Sequence, residues 1–389
     1  MAALLSAGCG GAEADRSGPW SGAAAAAWVG AIDTVDGVVR VSTSAGGARL
    51  ELREVLRIGG DDAPDAPRFG QVPDLVSDGE GGVWVLDVGS TEVVHLDAEG
   101  AETVRFGGPG EGPDRFQSPR RLHRSGDTIW VEDLGSLRWS AWSSAGAHLG
   151  VVALPPTLAG GEASWTADGL VAEVTGRADD GTRLRWAGRW RAEGDAFVRV
   201  DSFAPPPVPE PYALQTTVTR QGREVGLAFP LPLAHQPRHM PHPDGRRWVI
   251  TPGGGDYRFQ LAEVGGEVVR EIRRDLEPVP VPESARQAAI ERLPAELRET
   301  EADRVPSVYP PFDRIVVADD GAFWLVRSTG DGALSFDLFD PEGRFGGTVE
   351  GAPEHAGFWL HAADARGVWG VRRDAAGRAV ILRLEWAEG

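Results

Sequence analysis

Three observations in this 389-residue sequence predict an all-β chain closed into a ring of repeated units. The first is compositional: 52 Gly, 29 Pro and 14 Trp point to many short strands joined by tight turns, with large flat side chains filling the gaps between packed sheets. The second is an internal repeat. Asp78, Asp168, Asp244 and Asp320 are each followed by Gly and then, within a few residues, by an apolar run such as Val83-Trp84-Val85-Leu86, which is a turn leading into a strand. The third is that the last repeat stops one strand short, while a segment near the N-terminus carries the features of the strand it lacks.

Taken in order, the elements are these. Trp84, Trp130, Trp248, Trp324 and Trp369 occupy equivalent places in the apolar runs, and Ala172 fills the place in the remaining unit, so six units are visible. Each run leads through a polar turn to a second apolar strand (93–96, 139–142, 259–261, 334–339) and then to a closing glycine: Gly100, Gly146, Gly194, Gly266, Gly343 and Gly389. Their spacings of 46, 48, 72, 77 and 46 set the period of a four-stranded propeller blade, with two units expanded. One expansion holds the proline-rich stretch 205–211. The other, about 282–305, has Ala285, Ala288, Ala289, Ile290, Leu293 and Leu297 at helical spacing and predicts a short helical insertion between blades 4 and 5, broken by Pro294.

Arg57-Ile58-Gly59-Gly60, then Arg68-Phe69 and Pro73, matches Arg105-Phe106-Gly107-Gly108, then Arg115-Phe116 and Pro119. The N-terminal strand therefore reads as a displaced fourth strand. The expectation is a six-bladed β-propeller over residues 28–389, closed by an N-terminal strand that completes the C-terminal blade and removes exposed sheet edges.

Composition also excludes chemistries. All 39 basic residues are Arg, so there is no lysine for a Schiff base, a phosphate-binding loop or a kinase site, and no asparagine for a calcium carbonyl ligand. A net charge of -19 opposes nucleic acid, whose binding rests on cationic neutralisation of phosphate. The only cysteine, Cys9, excludes an intrachain disulfide, leaving stability to packing. No window supplies about 20 apolar residues for a membrane span.

The run Leu4-Leu5-Ser6-Ala7-Gly8-Cys9-Gly10 resembles a bacterial lipoprotein signal cleavage site, shortened and with Ser6 where leucine is usual. The resemblance implies a lipidated Cys9, with residues 1–27 a truncated signal and a Gly/Ala-rich flexible tether, and a location in the bacterial periplasm or at the cell surface.

The segment Arg105-Phe106-Gly107-Gly108-Pro109-Gly110-Glu111-Gly112-Pro113-Asp114-Arg115-Phe116, with Pro119, resembles the inter-blade linker of NHL-type propellers and of bacterial six-bladed propeller lipoproteins. In such propellers the ligand face is formed by the linkers and by the loop joining each second and third strand. That geometry implies a ring of Asp87, Asp133, Thr175, Thr251, Arg327 and Arg372, with Arg138 and Arg258 beside it.

Asp87 and Asp133 would hold a cation or act as an acid and base pair, or else each caps its own turn. Arg138, Arg258, Arg327 and Arg372 suit a carboxylate or phosphate ligand, or else pair with the chain's own 58 acidic residues.

His235, His239 and His242 have a spacing that suits a metal only on a helix, and Pro237, Pro241 and Pro243 oppose a helix. A resemblance to six-bladed lyases that bind zinc through linker histidines keeps a zinc role beside the reading of ordinary loop histidines. The functional expectation is a monomeric, cofactor-free binding or scaffold propeller at the cell envelope, recognising a protein, peptide or glycan through its top face. The alternative is a zinc- or calcium-assisted lyase or hydrolase acting on a small substrate at the central channel.

Overall fold

The computed structural model describes residues 29–43, 48–60, 68–154, 163–166, 169–177, 183–204, 212–220, 223–318, 320–364 and 366–386. Cys9, the tether and the proline-rich stretch 205–211 lie outside these residues. Three strands come first: β1 (Ala31–Val35), β2 (Val38–Thr43) and β3 (Ala48–Ile58).

Antiparallel four-stranded meanders follow. Unit 1 is β4 (Asp74–Ser77), β5 (Val83–Asp87), β6 (Glu92–Leu96) and β7 (Glu102–Gly107). Unit 2 is β8 (Pro119–Ser125), β9 (Thr128–Asp133), β10 (Arg138–Ser143) and β11 (His148–Ala153). Unit 3 is β12 (Ala163–Thr166), β13 (Gly169–Arg177), β14 (Arg183–Glu193) and β15 (Ala196–Phe203).

A separate hairpin, β16 (Ala213–Arg220) and β17 (Arg223–Pro230), precedes unit 4, which is β18 (Arg238–Pro241), β19 (Arg247–Thr251), β20 (Arg258–Glu263) and β21 (Val268–Arg274). Helices α1 (Glu283–Glu291) and α2 (Ala295–Glu301) lie between units 4 and 5, with Pro294 capping the second. Unit 5 is β22 (Phe312–Val317), β23 (Phe323–Arg327), β24 (Ser335–Phe339) and β25 (Phe345–Glu350). The last unit has β26 (Trp359–Ala363), β27 (Gly367–Arg373) and β28 (Ala379–Trp386), and β3 takes its fourth place, antiparallel to β28 from Ile381↔Ile58 to Trp386↔Leu52.

The Asp-Gly repeat has a local cause. Asp78 accepts the backbone N–H of Glu80 and Gly82, Asp244 those of Arg246 and Arg247, and Asp320 that of Ala322, so each carboxylate fastens the turn between first and second strands. The glycine after each takes the left-handed backbone such a turn needs, with φ of 80° at Gly79, 70° at Gly245 and 86° at Gly321.

The apolar runs are buried on both faces because every unit is packed between two others. All of β5 and all of β24 are buried, whereas the outer strand β7 is largely exposed. Apolar clusters fill the spaces between units in succession: Leu86 and Trp142 between 1 and 2, Trp139 and Trp165 between 2 and 3, Val171 and Trp248 between 3 and 4. Phe259 and Phe323 meet between 4 and 5, Trp324 and Leu382 between 5 and 6, and Trp369 and Val83 between the last unit and the first. The chain is thus mostly β and of propeller type.

Three pairings were not expected from the sequence, one of them a short parallel bridge of β11 to β15, Ala153↔Ala196, between units 2 and 3. The hairpin of β1 and β2 adds to the outer edge of unit 4 through parallel pairing of β2 with β21. In addition, the start of β3 pairs in parallel with β25, so one strand spans units 5 and 6 and covers the outer edge of each.

Ile58 is buried in the cluster between the last unit and the first. Replacing it with alanine removes three carbons from a packed interface, and Ile58→Ala is expected to lower unfolding free energy by about 2–5 kcal/mol, measured by urea titration.

Candidate functional site

In a meander whose fourth strand leads to the first strand of the next unit, the linker and the turn between second and third strands must lie at the same end. That end carries all six residues singled out from the ring. The Thr175 side chain lies outside the described residues, and the Thr251 hydroxyl donates to the Arg238 carbonyl at 3.4 Å.

Asp87 accepts the backbone N–H of Gly70 and Gln71 in the preceding linker, of Gly89 in its own turn, and the Ser90 hydroxyl. Asp133 repeats the arrangement with Gln117, Ser118, Gly135 and the Ser136 hydroxyl. Both carboxylates hold a turn against a linker, the arrangement that the turn-capping alternative describes, and the chain itself supplies their hydrogen-bond donors. Burial alone would raise the Asp133 pKa; the hydrogen bonds from Ser136, Gln117, Ser118 and Gly135 outweigh it and hold the group below the usual carboxylate range.

Arg138 and Arg372 do similar work from the donor side. Arg138 Nη2 donates to the carbonyls of Gly112 and Arg115, and Arg372 Nη1 to that of Glu354. Arg258 lies 3.9 Å from Glu271.

The three histidines are not brought together. His239, in β18, bonds Glu173 of unit 3. His242, just beyond the strand, lies 3.1 Å from Asp244 and beside Phe323. His235, in the linker before β18, packs edge-on against Phe312 with ring centres 4.6 Å apart. An extended chain sends His239 and His242, three positions apart, to opposite sides, while His235 lies in the linker before the strand. Among the described residues, no group of three or more His, Cys, Asp or Glu side chains is placed to hold a metal ion.

What converges instead is aromatic. All three tyrosines of the chain, Tyr212, Tyr257 and Tyr309, meet around the loop between β19 and β20. That loop runs through Gly253, Gly254 and Gly255. Gly253, with φ of 79°, passes so close to the His235 carbonyl that a side chain would strike it, and the Gly254 N–H donates to that carbonyl at 3.2 Å.

The close approach opens a cleft of about 240 Å³ between this loop, the segment Leu231–His235 and the stretch after α2, lined by Tyr212, Leu231, Leu233, His235, Pro306 and Tyr309. Two adjoining cavities share Gly255: one of about 30 Å³ under Tyr309 and Pro310, and one of about 460 Å³ beside Arg258, Arg273 and Arg274. Behind the cleft, Leu231 packs with Ile290, Leu293 and Leu297, so the apolar stripe of the helical insertion forms its supporting wall.

At the end of the glycine loop, beyond the cleft, lies a closed polar cluster. Tyr257 donates to buried Asp337 at 2.7 Å, Thr348 donates to the same carboxylate at 2.7 Å, Arg274 bonds it, and Arg327 lies 3.7 Å away. Burial, then the charge and hydrogen bond of Asp337, push the Tyr257 pKa well above its ordinary value. Burial, helped by the Arg238 charge, pushes His235 down to about 4. The cleft therefore presents a neutral imidazole, two tyrosine rings, leucines and prolines. It is suited to holding an apolar group.

Of the residues named from sequence, His235, Arg258 and Arg327 belong to this region, while Asp87, Asp133, Arg138 and Arg372 hold loops in units 1, 2 and 6. Tyr212, Tyr257, Tyr309 and Asp337 were missed. The available signal was the rarity of tyrosine together with its positions, two of the three lying outside the four-strand plan.

No protein-family model and no curated protein matches the chain. Solved structures do. A member of the DUF4221 family from Bacteroides vulgatus is 10% identical, with 88% of this chain and 99% of that one covered and a TM-score of 0.51. A protein from Bacteroides fragilis whose description carries the words "putative exported protein" is 10% identical over 90% of this chain and 99% of its own, with a TM-score of 0.47. Virginiamycin B lyase from Staphylococcus aureus is 13% identical over 87% and 99%, with a TM-score of 0.42. At these identities the likeness to the DUF4221 protein is one of fold.

Two expectations follow for the site. Asp133→Asn weakens charge-assisted hydrogen bonds in a buried turn and is expected to cost about 1–3 kcal/mol by urea unfolding. Because the folded pKa is depressed, that contribution is present above the unfolded carboxylate value and is lost as pH falls through the folded one, so wild type and variant converge in acid. His235 stays neutral when folded but gains a proton when unfolded. Wild type therefore loses stability relative to His235→Phe as pH falls from 6.5 toward about 4, read from melting temperatures across that window.

Proposed function

We propose that the protein is an extracytoplasmic binding propeller of six blades, held at the bacterial envelope through Cys9, whose cleft between Tyr212 and Tyr309 takes an extended segment of a protein partner. The observation that carries the reading is the cleft itself: the two segments that break the four-strand plan, one after unit 3 and one after unit 4, face each other across the glycine loop and enclose an apolar space.

The six-blade reading is supported by apolar clusters between all successive units, including the last and the first. A peptide is favoured over a glycan because the lining offers rings, leucines and prolines rather than the many polar groups a sugar needs. Tyr and Pro surfaces of this kind take an apolar anchor at low entropic cost, with the flanking chain resting on the loop backbone.

The test is selection of a displayed random peptide library on the purified protein. Recovered peptides are expected to share a bulky apolar or aromatic anchor, and Tyr309→Ala is expected to weaken the best of them about tenfold or more, while Leu149→Ser on an outer strand leaves affinity unchanged. Unrelated sequences, or binding indifferent to Tyr309→Ala, contradict the assignment. Anchorage is tested separately: labelled palmitate is expected to enter the wild-type chain in a bacterial host and not Cys9→Ser.

A further inference from the structure

The first strands of units 4, 5 and 6 place three side chains at the linker end, near the axis about which the units pack. Arg238 opens β18, Arg314 is the third residue of β22, and Trp359 opens β26. The Arg314 guanidinium sits 3.8 Å from the centre of the Trp359 ring. Trp359 is nonetheless 58% exposed, whereas Trp84, Trp248, Trp324 and Trp369, from the second strands, are at most 2% exposed.

Arg314 is held half-buried against an indole ring rather than against a carboxylate. With 58 acidic residues against 39 arginines, carboxylates are abundant in the chain. Yet neither the Arg238 nor the Arg314 guanidinium makes a hydrogen bond or ion pair among the described residues. The adjacent carboxylate, Asp313, instead accepts the Ser328 hydroxyl at 2.7 Å.

Burial, only partly offset by Asp313 and reinforced by Arg238, lowers the Arg314 pKa to about 10. Arg238 is exposed, but a half-buried Arg314 without an ion pair disfavours the folded state, and its place over an indole offsets only part of that. Nearby acidic and basic groups do not fill the gap: Asp74 accepts the Leu122 N–H at 2.8 Å and lies 3.6 Å from His361, and Arg121 lies 3.8 Å from Glu132.

We propose that Arg238, Arg314 and Trp359 form a second binding site, separate from the tyrosine cleft, for a small organic carboxylate that carries a flat ring. The carboxylate lies between the two guanidinium groups, which suit it by paired N–H donors, and the ring rests on the accessible part of the Trp359 indole. Entry of the anion supplies the missing counter-charge for both arginines at once. Inorganic phosphate shares the charge but not the ring, and a neutral sugar shares the ring but not the charge, so the two features separate in experiment.

The experiment follows the indole N–H signal of Trp359, assigned by its loss in Trp359→Phe, in nitrogen-15 spectra of the intact chain titrated with benzoate, glucuronate, phosphate and glucose. Saturable shifts with benzoate or glucuronate are expected, at least tenfold weaker in Arg314→Gln and in Arg238→Gln, with glucose producing none. Phosphate is expected to bind at least tenfold more weakly than the better carboxylate.

A readout independent of binding guards against misfolding: removing an uncompensated cation is expected to leave the melting temperature of Arg314→Gln unchanged or raised. No saturable shift with either carboxylate, equal shifts with glucose, phosphate binding as tight as the carboxylate, or a lowered melting temperature with undiminished binding overturns the proposal.

Discussion

The pairing of β3 with β28 is the constraint on which the remaining structure rests. A unit with both faces apolar is stable only when it has a neighbour on each side, and the first and last units of a linear array would each leave one such face to water. Here Ile58 and Leu52, carried on one N-terminal strand, enter the clusters on either side of the last unit. The same strand supplies the hydrogen-bond partners that the edge of β28 would otherwise lack. Closure therefore joins residues more than 300 positions apart and makes the fold dependent on contacts that local sequence does not provide.

On that frame the linker end of the ring is used in two ways. Where a unit keeps the four-strand plan, polar groups in its upper turn are consumed internally: Asp87, Asp133, Arg138 and Arg372 all tie a turn to a linker. Where the plan is broken, around unit 4, side chains are left over to face a space. The glycine loop lets the linker approach, the helical insertion backs the wall, and the buried Asp337 cluster with Tyr257, Arg274 and Thr348 anchors the end of that loop. Departure from the repeat and the apolar cleft thus arise at the same place.

The parts legible in the sequence were those with local causes. An aspartate that accepts N–H groups two to four residues ahead, and a glycine at positive φ, leave their mark wherever the turn recurs, which is why Asp78, Asp244 and Asp320 announced their units. The parallel pairing of β2 with β21 left no such mark, because its partners are set by tertiary packing over more than 200 residues. Residue type alone likewise did not tell whether Asp87 would face a ligand or a backbone turn; that depended on where the linker ran. The histidines show the converse case. Proline spacing already opposed a shared helix, and the structure sends His235, His239 and His242 to Phe312, Glu173 and Asp244 respectively.

The central claim, that an N-terminal strand closes the ring, is tested most directly by native-state hydrogen exchange of the segments 48–58 and 379–386, followed by mass spectrometry. If β3 is an integral fourth strand, residues 52–58, which pair with β28, exchange only through global unfolding, at the same opening free energy as the segment 379–386. Rapid exchange of residues 52–58 while 379–386 remains protected would show that the last unit stands without its N-terminal strand, and would contradict the account.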